Sequence, residues 1–248
     1  MRLQGKVAIV TGAASGFGEG IARRFAAEGA RVVAADMNLA AAQRVASELG
    51  ALAVGGDVSR GPDVQAIVAA TVKAYGKLDI VVNNAGTTHR NRPMNEVDEA
   101  AFDRVFAVNV KSIYWMMQAA LPVLRRQGRG GSIINIGSTA GIRPRPGLVW
   151  YNGTKAAVNV MTQSMAVELA AENIRVNSVC PVIGTTGLLA EFMGVPDTPE
   201  NRARFLATIP LGRMSTPADV ANACVWLAED ASSFVTGVLL PVDGGRTA

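Results

Sequence analysis

The 248-residue chain alternates short runs rich in Val and Ile with longer, Ala-rich amphipathic stretches. Near-continuous apolar runs are typical of strands buried on both faces, and helices between them allow such strands to lie parallel. The alternation therefore predicts an α/β protein whose parallel sheet is covered by helices on both sides. The predicted strands are residues 6–11, 31–36, 51–57, 78–83, 131–137, 174–180 and 237–242.

The sequence contains no linker, repeat or low-complexity segment, so we expect one domain over residues 1–248. Residues 184–214 interrupt the alternation, because this stretch is too long for a simple connection and mixes Gly, Pro and apolar residues. It follows the sixth predicted strand, and ligands of open α/β sheets bind beyond the carboxyl ends of strands. We therefore expect residues 187–214 to form a lid over a substrate site, with a functionless surface insertion as the alternative.

Composition excludes several classes of protein. Lys and Arg number 24 against 20 Asp and Glu, and no basic cluster is interleaved with aromatics, so nucleic acid is not an expected partner. Two cysteines without a CxxC pair, together with a single histidine, argue against a metal site and a disulfide framework. No apolar run reaches membrane-spanning length, and MRLQGKVAIV leaves no room for a signal peptide. We expect a cytoplasmic protein with no membrane partner.

The first predicted strand leads directly into TGAASGFGEG. Gly12, Gly16 and Gly18 lie in a turn that opens a helix, where glycine permits close approach of the backbone to a phosphate. Glycine is equally common in turns that have only a structural role, so the turn alone is weak evidence for a phosphate site. The second predicted strand, however, ends at Asp36, where a carboxylate can accept hydrogen bonds from the ribose hydroxyls of a dinucleotide.

Asp36 also bears on the choice between the two nicotinamide dinucleotides. Its carboxylate would repel the 2′-phosphate of NADP. The next residues are Met37 and Asn38, so no arginine follows Asp36 in the sequence to offset that repulsion. We therefore predict NAD as the cofactor and favour it over NADP.

Tyr151 and Lys155 are four residues apart in WYNGTKAAVN, and a helix would place both side chains on one face. An ammonium group beside a phenol stabilises the phenolate and lowers the phenol pKa from its usual value of about 10. Tyr151 could then exchange a proton with an alcohol or carbonyl oxygen near neutral pH. Ser138 follows the fifth predicted strand and can hold the same oxygen by a hydrogen bond. The alternative is a chance pair on a solvated helix face.

These residues belong to a longer series of motifs. In chain order they are TGAASGFG, NNAG at residues 83–86, Asn109 in VNV, Ser138 with Tyr151 and Lys155, and PVDGG near the C-terminus. In this order and spacing the chain resembles the short-chain dehydrogenase/reductase family along essentially its whole length. The resemblance implies a Rossmann-type, doubly wound sheet of seven parallel strands and a homotetramer or homodimer. It also implies hydride transfer between a nicotinamide cofactor and a small-molecule alcohol or carbonyl substrate.

The resemblance further assigns roles to individual residues. It makes Tyr151 the acid/base, Ser138 the group that orients the substrate, and Asn109 the residue that holds a proton-relay water. It makes Lys155 the group that holds the nicotinamide ribose and lowers the pKa of Tyr151. The residues that it assigns to cofactor binding are Gly12, Ser15, Gly16, Phe17, Gly18, Asp36, Asp57, Val58, Asn84, Ala85, Gly86, Tyr151, Lys155, Pro181, Gly184 and Thr186.

One motif departs from the family pattern. Members often have Pro-Gly-x-x-x-Thr after the sixth strand, whereas this chain has PVIGTT, with Val182 in place of the usual glycine. Thr186 keeps the threonine that would contact the nicotinamide amide. This departure leaves open which backbone contacts residues 182–184 make with the cofactor. It does not change the predicted class of cofactor.

Two alternative functions stay open at this point. One is an NADPH-dependent 3-oxoacyl-[acyl-carrier-protein] reductase, which Asp36 disfavours. The other is a non-catalytic dinucleotide-binding protein, which the intact set of candidate catalytic residues disfavours. Arg143 and Arg145 flank the approach to Tyr151 and could attract an anionic substrate, although solvated loop arginines are the more usual case. His89 is interpreted as a loop histidine because no carboxylate partner is evident in the sequence.

Overall fold

A computed structural model describes residues 1–185, 187 and 189–248, and a seven-stranded parallel sheet forms its centre. The strand order is β3-β2-β1-β4-β5-β6-β7. The strands are β1 (Val7–Thr11), β2 (Arg31–Asp36), β3 (Leu52–Gly55), β4 (Ile80–Asn83), β5 (Gly131–Ile136), β6 (Ile174–Pro181) and β7 (Leu239–Val242).

Helices cover both faces of this sheet. The helices of the described residues are α1 (Gly16–Ala27), α2 (Leu39–Leu49), α3 (Gly61–Tyr75), α4 (Glu99–Phe106), α5 (Ser112–Gln127), α6 (Val149–Leu169), α7 (Leu189–Met193), α8 (Pro199–Leu206) and α9 (Pro217–Ala228). A π-helical turn, Ala107–Lys111, joins α4 to α5. The predicted fold class, a Rossmann-type doubly wound parallel sheet, is confirmed.

Local sequence explains where several of these helices begin and end. The Asn38 side chain accepts a hydrogen bond from the Ala41 N–H at the start of α2, and Gly50 ends that helix in the left-handed conformation. Thr216 and Asp219 form a capping box at the start of α9. Such caps satisfy helix-end groups that have no partner within the helix.

The predicted strands are found, and half of their boundaries shift by one or two residues. Residues 78–83 were expected as the fourth strand, but β4 begins at Ile80. The Gln127 side chain accepts a hydrogen bond from the Leu78 N–H and donates one to the Leu78 carbonyl, so a side chain replaces a neighbouring strand there. At the last strand, Gly237 has a φ of 77°, which an extended strand does not adopt, and β7 begins at Leu239.

The hydrophobic core consists of two layers, one on each face of the sheet. On one face, α1 and α9 pack together over the central strands, with Phe25 and Cys224 fully buried between them and the sheet. On the other face, α3, α5 and α6 bury residues such as Ile67 and Met116. Because both faces are covered, polar groups of the strands can reach ligands only at the strand ends.

The connections of the chain reverse direction between β1 and β4, which are neighbours in the sheet. From β1 the order proceeds to β2 and β3 on one side, and from β4 to β5, β6 and β7 on the other. A crevice opens at the carboxyl ends of such a strand pair, and ligands of this fold class bind there. In the described part of the chain, no helix combines the length and the apolar character needed to cross a membrane.

Met116 and Met94 offer a matched test of this core. Met116 is 1% exposed in the layer between α5 and the sheet, whereas Met94 is 57% exposed. Met116→Ala should lower the free energy of unfolding by about 2–5 kcal/mol, because it leaves a cavity in a packed layer. Met94→Ala should change it by less than about 0.5 kcal/mol. Urea denaturation measures both values, and equal losses would contradict the assignment of Met116 to the core.

Candidate active site

A cleft of about 1140 Å³ opens at the carboxyl edge of the sheet, above the β1–β4 reversal. It is lined by the turn after β1, the ends of β2, β4, β5 and β6, the start of α6, and parts of α7 and α8. Its volume and mixed apolar and polar lining suit a cofactor together with a small substrate.

The turn after β1 packs as tightly as the glycine pattern predicts. Gly12 and Gly16 have φ angles of 65° and 57°, in the left-handed region that favours glycine. A Cβ atom on Gly18 would lie 2.0 Å from the Gly12 carbonyl oxygen, so no larger residue fits between the turn and α1. Ser15 begins α1 without a side-chain capping bond, which leaves first-turn N–H groups directed at the cleft. This cradle fits the phosphates of a dinucleotide.

Asp36 is fixed at the end of β2 by two backbone groups. Its Oδ2 accepts a hydrogen bond from the Ala14 N–H at 3.0 Å, and its Oδ1 accepts one from the Asn38 N–H at 2.9 Å. Each carboxylate oxygen keeps a further lone pair for a ligand hydroxyl. Asp57 and Val58 line the same end of the cleft.

Arg44 also reaches this region, which the sequence did not indicate. Its Nη2 donates to the Ala14 carbonyl at 3.3 Å and lies 3.1 Å from Glu19 Oε2. Glu48 lies 3.5 Å from its Nη1. The positive charge of Arg44 is therefore shared with two carboxylates rather than offered to a phosphate.

Thr11 and Asn84 join the ends of β1 and β4. The Thr11 hydroxyl oxygen accepts hydrogen bonds from the N–H groups of Asn84 and Ala85, each at 3.0 Å. Asn84 Nδ2 donates to the carbonyls of Thr11 and Gly12 at 2.8 and 3.2 Å. These contacts hold Ala85 and Gly86 along the floor of the cleft. Thr11 was not among the predicted site residues, because a threonine at a strand end is too common to be recognised.

Asn109 lies in the π-helical turn behind the cleft and does not line it in the described part of the chain. Its Oδ1 accepts from the Thr87 N–H at 2.8 Å, and its Nδ2 donates to the Thr87 carbonyl and to Thr154 Oγ1. The side chain thus joins the segment after β4 to α6. It acts on the cleft through Thr87 and Gly86.

Ser138, Tyr151 and Lys155 meet in the cleft as predicted. Ser138 follows β5, and its hydroxyl accepts a hydrogen bond from the Ala140 N–H at 3.1 Å. Tyr151 and Lys155 share one face of α6, with Lys155 Nζ 5.9 Å from the centroid of the tyrosine ring. Lys155 Nζ donates to the Ile136 carbonyl at 2.7 Å, and both side chains are buried.

The protonation properties of this pair differ from the expectation. Burial raises the pKa of Tyr151 to about 12, and the Ser138 hydroxyl and the charge of Arg145 only partly oppose that rise. Burial lowers the pKa of Lys155 to about 8. In the protein alone, desolvation outweighs the two groups that lower the pKa of Tyr151, and these groups are Ser138 and Arg145 rather than Lys155.

The segment after β6 is well anchored despite the unusual PVIGTT sequence. The Ser215 N–H donates to the Ile183 carbonyl, and the Ser215 hydroxyl donates to the Val182 carbonyl. The Ser215 carbonyl accepts a hydrogen bond from the Thr185 N–H. Gly184 lies so close to Phe17 that a Cβ atom would be 2.4 Å from the Phe17 ring. Pro181 and Gly184 line the cleft, whereas Thr186 lies outside the described residues.

Helices α7 and α8 lie beside the tyrosine. The rings of Phe192 and Tyr151 meet edge to face with centroids 5.0 Å apart. Arg145 Nη2 donates to the Phe192 carbonyl at 3.1 Å, and the guanidinium lies 5.1 Å from the centroid of the Phe205 ring. His89 is buried, with Nδ1 2.9 Å from the Arg90 carbonyl oxygen, and it is absent from the cleft lining in the described part of the chain.

Comparison with known proteins shows that this chain is similar to enzymes. A family model described as enoyl-(acyl carrier protein) reductase matches residues 12–247. A 4-formylbenzenesulfonate dehydrogenase of Comamonas testosteroni is 53% identical over 99% of both chains. A 3-oxoacyl-[acyl-carrier-protein] reductase of Thermotoga maritima is 38% identical over 99% of both chains. The crystal structure of a 3-ketoacyl-(acyl-carrier-protein) reductase from Brucella melitensis, complexed with NADH, is 45% identical, with a TM-score of 0.94 over 99% of this chain and 100% of that one.

The lowered pKa of Lys155 has a consequence for stability. Burial lowers the pKa of Lys155 to about 8 in the folded protein, whereas the ordinary pKa of a lysine side chain, as in the unfolded chain, is 10.5. Between these values the unfolded chain binds more protons, so stability rises with pH. The cost of burying the charge is absent above both values and fully present below pH 8.

We therefore expect the wild type to gain up to about 3 kcal/mol of unfolding free energy relative to Lys155→Met between pH 8 and 10.5. Urea denaturation across this range measures the difference. Lys73→Met, at an exposed position of α3, is the matched control and should follow the wild-type profile. If the difference in unfolding free energy between the wild type and Lys155→Met does not change with pH, the pKa of Lys155 is not lowered by burial.

Proposed function

The chain belongs to the short-chain dehydrogenase/reductase family, whose members act on CH–OH and carbonyl groups, and we propose that it uses NAD with Tyr151 as the acid/base. The observation that carries the proposal is the convergence of Ser138, Tyr151 and Lys155 in a cleft that also contains a phosphate cradle. The proton-transferring groups thus lie beside the site that fits the hydride carrier.

In the reducing direction, Tyr151 donates its phenolic proton to the carbonyl oxygen of the substrate as hydride adds to the carbonyl carbon. A phenol whose pKa is raised to about 12 is fully protonated at neutral pH and ready to donate. In the oxidising direction, the phenolate takes the hydroxyl proton of the alcohol. Ser138 stabilises either oxygen by a hydrogen bond and holds it near the Tyr151 hydroxyl.

The bound nicotinamide supplies or accepts the hydride, and its oxidised ring adds positive charge beside the phenol. Lys155 donates one N–H to the Ile136 carbonyl, so its remaining N–H groups are available for the hydroxyls of a ribose. A pKa of about 8 keeps most of this amine charged at neutral pH. Asn109 is a positioning residue in this scheme, because it acts through Thr87 rather than by touching the substrate.

Asp36 supports NAD over NADP. Its carboxylate occupies the end of β2, where it would face the adenosine ribose, and two backbone N–H groups hold it in place. Arg44 is the nearby cation that could have offset its charge, but Glu19 and Glu48 engage that guanidinium. A 2′-phosphate would therefore meet a fixed negative charge without a free positive one.

The second candidate function is a 3-oxoacyl-[acyl-carrier-protein] reductase that uses NADPH. The Thermotoga and Brucella relatives are named as reductases of this acyl-carrier-protein type, the Brucella one in complex with NADH, whereas the more similar Comamonas relative is named as a dehydrogenase of a small aromatic aldehyde. We favour a small alcohol or ketone as substrate, because Phe192 and Phe205 close the cleft around Tyr151.

Assembly and location form part of the same proposal. Val160 and Val167 are 62% and 82% exposed and lie seven positions apart on α6, as expected of a helix face that another copy covers in a homotetramer or homodimer. Cys180 and Cys224 are buried free thiols, which suits a cytoplasmic enzyme. Residues 187–214 are proposed as the lid, since Phe192 and Phe205 from this segment line the cleft.

Tyr151→Phe removes the proposed proton donor and keeps the ring. We expect kcat to fall by about 10²–10⁴-fold for any ketone reduced by the wild type. The binding of NADH, followed by its fluorescence, should persist. Tyr114→Phe, at a 52% exposed position, is the matched control and should retain wild-type kcat. Full activity of Tyr151→Phe would assign the acid/base to another group.

Asp36→Asn removes the charge that faces the 2′ position and keeps the shape of the side chain. The wild type should favour NADH over NADPH by about tenfold or more in kcat/KM, and the variant should narrow that ratio. Asp103→Asn, at an exposed position of α4, should leave the ratio unchanged. A wild type that prefers NADPH would reverse the choice of cofactor and favour the second candidate function.

A further inference from the structure

Charge is unevenly distributed along the cleft. Asp36 and Asp57 are the acidic residues of its described lining, and both lie at the end proposed for adenosine. Away from that end, the ionisable lining residues other than Tyr151 and Lys155 are arginines, namely Arg104, Arg143, Arg145, Arg204 and Arg246. The end of the cleft that would receive the substrate is therefore strongly positive.

None of these arginines forms an ion pair with a carboxylate in the described part of the chain. Elsewhere, surface arginines such as Arg23 and Arg125 pair with glutamates at 2.8 Å. In the cleft, two of the guanidinium groups donate to backbone carbonyls instead, Arg143 to that of Arg246 and Arg145 to that of Phe192, each at 3.1 Å. Positive charges gathered without acidic partners repel one another, and a bound anion would relieve that repulsion.

Arg145 is the best placed of the group. The sequence favoured a solvated loop residue over one that attracts an anionic substrate, but the structure half-buries Arg145 beside Tyr151 and the aromatic residues of α7 and α8. Burial lowers the pKa of Arg145, and the charge of Arg246 lowers it further, against a favourable interaction with Tyr151. One N–H is used on the Phe192 carbonyl, and the other donors have no protein acceptor in the described residues.

The side chains beside Arg145 define the rest of the ligand. Phe192 contacts the ring of Tyr151 edge to face, and Phe205 lies under the Arg145 guanidinium. These rings give the cleft apolar surface beside both the proton donor and the positive charge. A ligand that suits this arrangement has a reacting oxygen at one end, an apolar or aromatic body, and an anionic group at the other end.

We propose that the substrate carries a carboxylate or sulfonate group that Arg145 binds, with Arg143 and Arg246 adding positive charge at the mouth of the cleft. A planar guanidinium can donate two parallel hydrogen bonds to either anion, and such charge-assisted pairs are the stronger ones. The proposal rests on the proposed function, because it places the reacting oxygen at Tyr151.

The test compares matched charged and neutral probes. The reactive pairs are 4-acetylbenzoate with 4-acetylbenzamide and 4-acetylbenzenesulfonate with 4-acetylbenzenesulfonamide, assayed with NADH. The unreactive pair is 4-methylbenzoate with 4-methylbenzamide, whose binding to the NAD complex is measured by calorimetry. The proteins are wild type, Arg145→Met, Arg145→Lys, and Arg126→Met as a control with an exposed arginine outside the cleft lining.

In the wild type we expect each charged ketone to exceed its neutral partner by about tenfold or more in kcat/KM, as a charge-assisted hydrogen bond predicts. Arg145→Met should bring the ratio close to one, Arg145→Lys should keep part of it, and Arg126→Met should keep all of it. The ratio is the deciding quantity, because an effect of Arg145 on the proton affinity of Tyr151 acts on both members of a pair. The preferred pair distinguishes a carboxylate from a sulfonate.

Calorimetry separates this proposal from the proposed function. If 4-methylbenzoate binds more tightly than 4-methylbenzamide and Arg145→Met abolishes the difference, the anion site stands even where no ketone is reduced. Equal affinity of the two probes, or no measurable binding of either, would overturn the anion site even where neutral ketones are reduced. A charge preference that survives in Arg145→Met would overturn it as well.

Discussion

Strands β1 and β4 lie side by side while their connections leave in opposite directions, and the rest of the site depends on this arrangement. Thr11 and Asn84 hold the two strand ends together, so the turn after β1 and the segment after β4 cannot separate. The turn after β1 and the segment after β4 form the centre of the cleft, and the ends of β2, β5 and β6 line it on either side. Burial of both sheet faces confines polar chemistry to this edge.

Burial shifts the pKa values of the two ionisable groups of α6 in opposite directions. It favours the neutral form of each group, so it makes the Tyr151 phenol harder to ionise and the Lys155 amine easier to deprotonate. A catalytic phenolate is therefore not a resting property of this chain. Ser138 and Arg145 favour ionisation of Tyr151, and under the proposed function the charge of an oxidised nicotinamide would add to their effect.

Much of the fold and part of the site could be predicted because they follow from short-range rules. The seven strands are recognisable as apolar runs, and the spacing of Tyr151 and Lys155 on one helix face is a matter of helical geometry. Asp36 could be assigned because strand β2 ends there. Each of these features depends on residues that are close in the sequence.

Other features depend on residues that are distant in the sequence. Thr11 bonds to Asn84 across 73 positions, and Arg44 reaches Ala14 across 30. The sequence also could not weigh desolvation against charge at Tyr151, which is why the expected direction of its pKa differs from the structure. Arg145 was interpreted as solvated because its contacts with Phe192 and Phe205 come from helices some fifty residues later.

Arg145 links the short helix α7 to the tyrosine of α6. It donates to the backbone of α7, and its charge favours ionisation of a phenol on α6. A displacement of α7 would remove the anchor of that charge and change the acidity of Tyr151 without altering any group on α6. The position of α7 and the acidity of Tyr151 are thus linked through the Arg145 guanidinium.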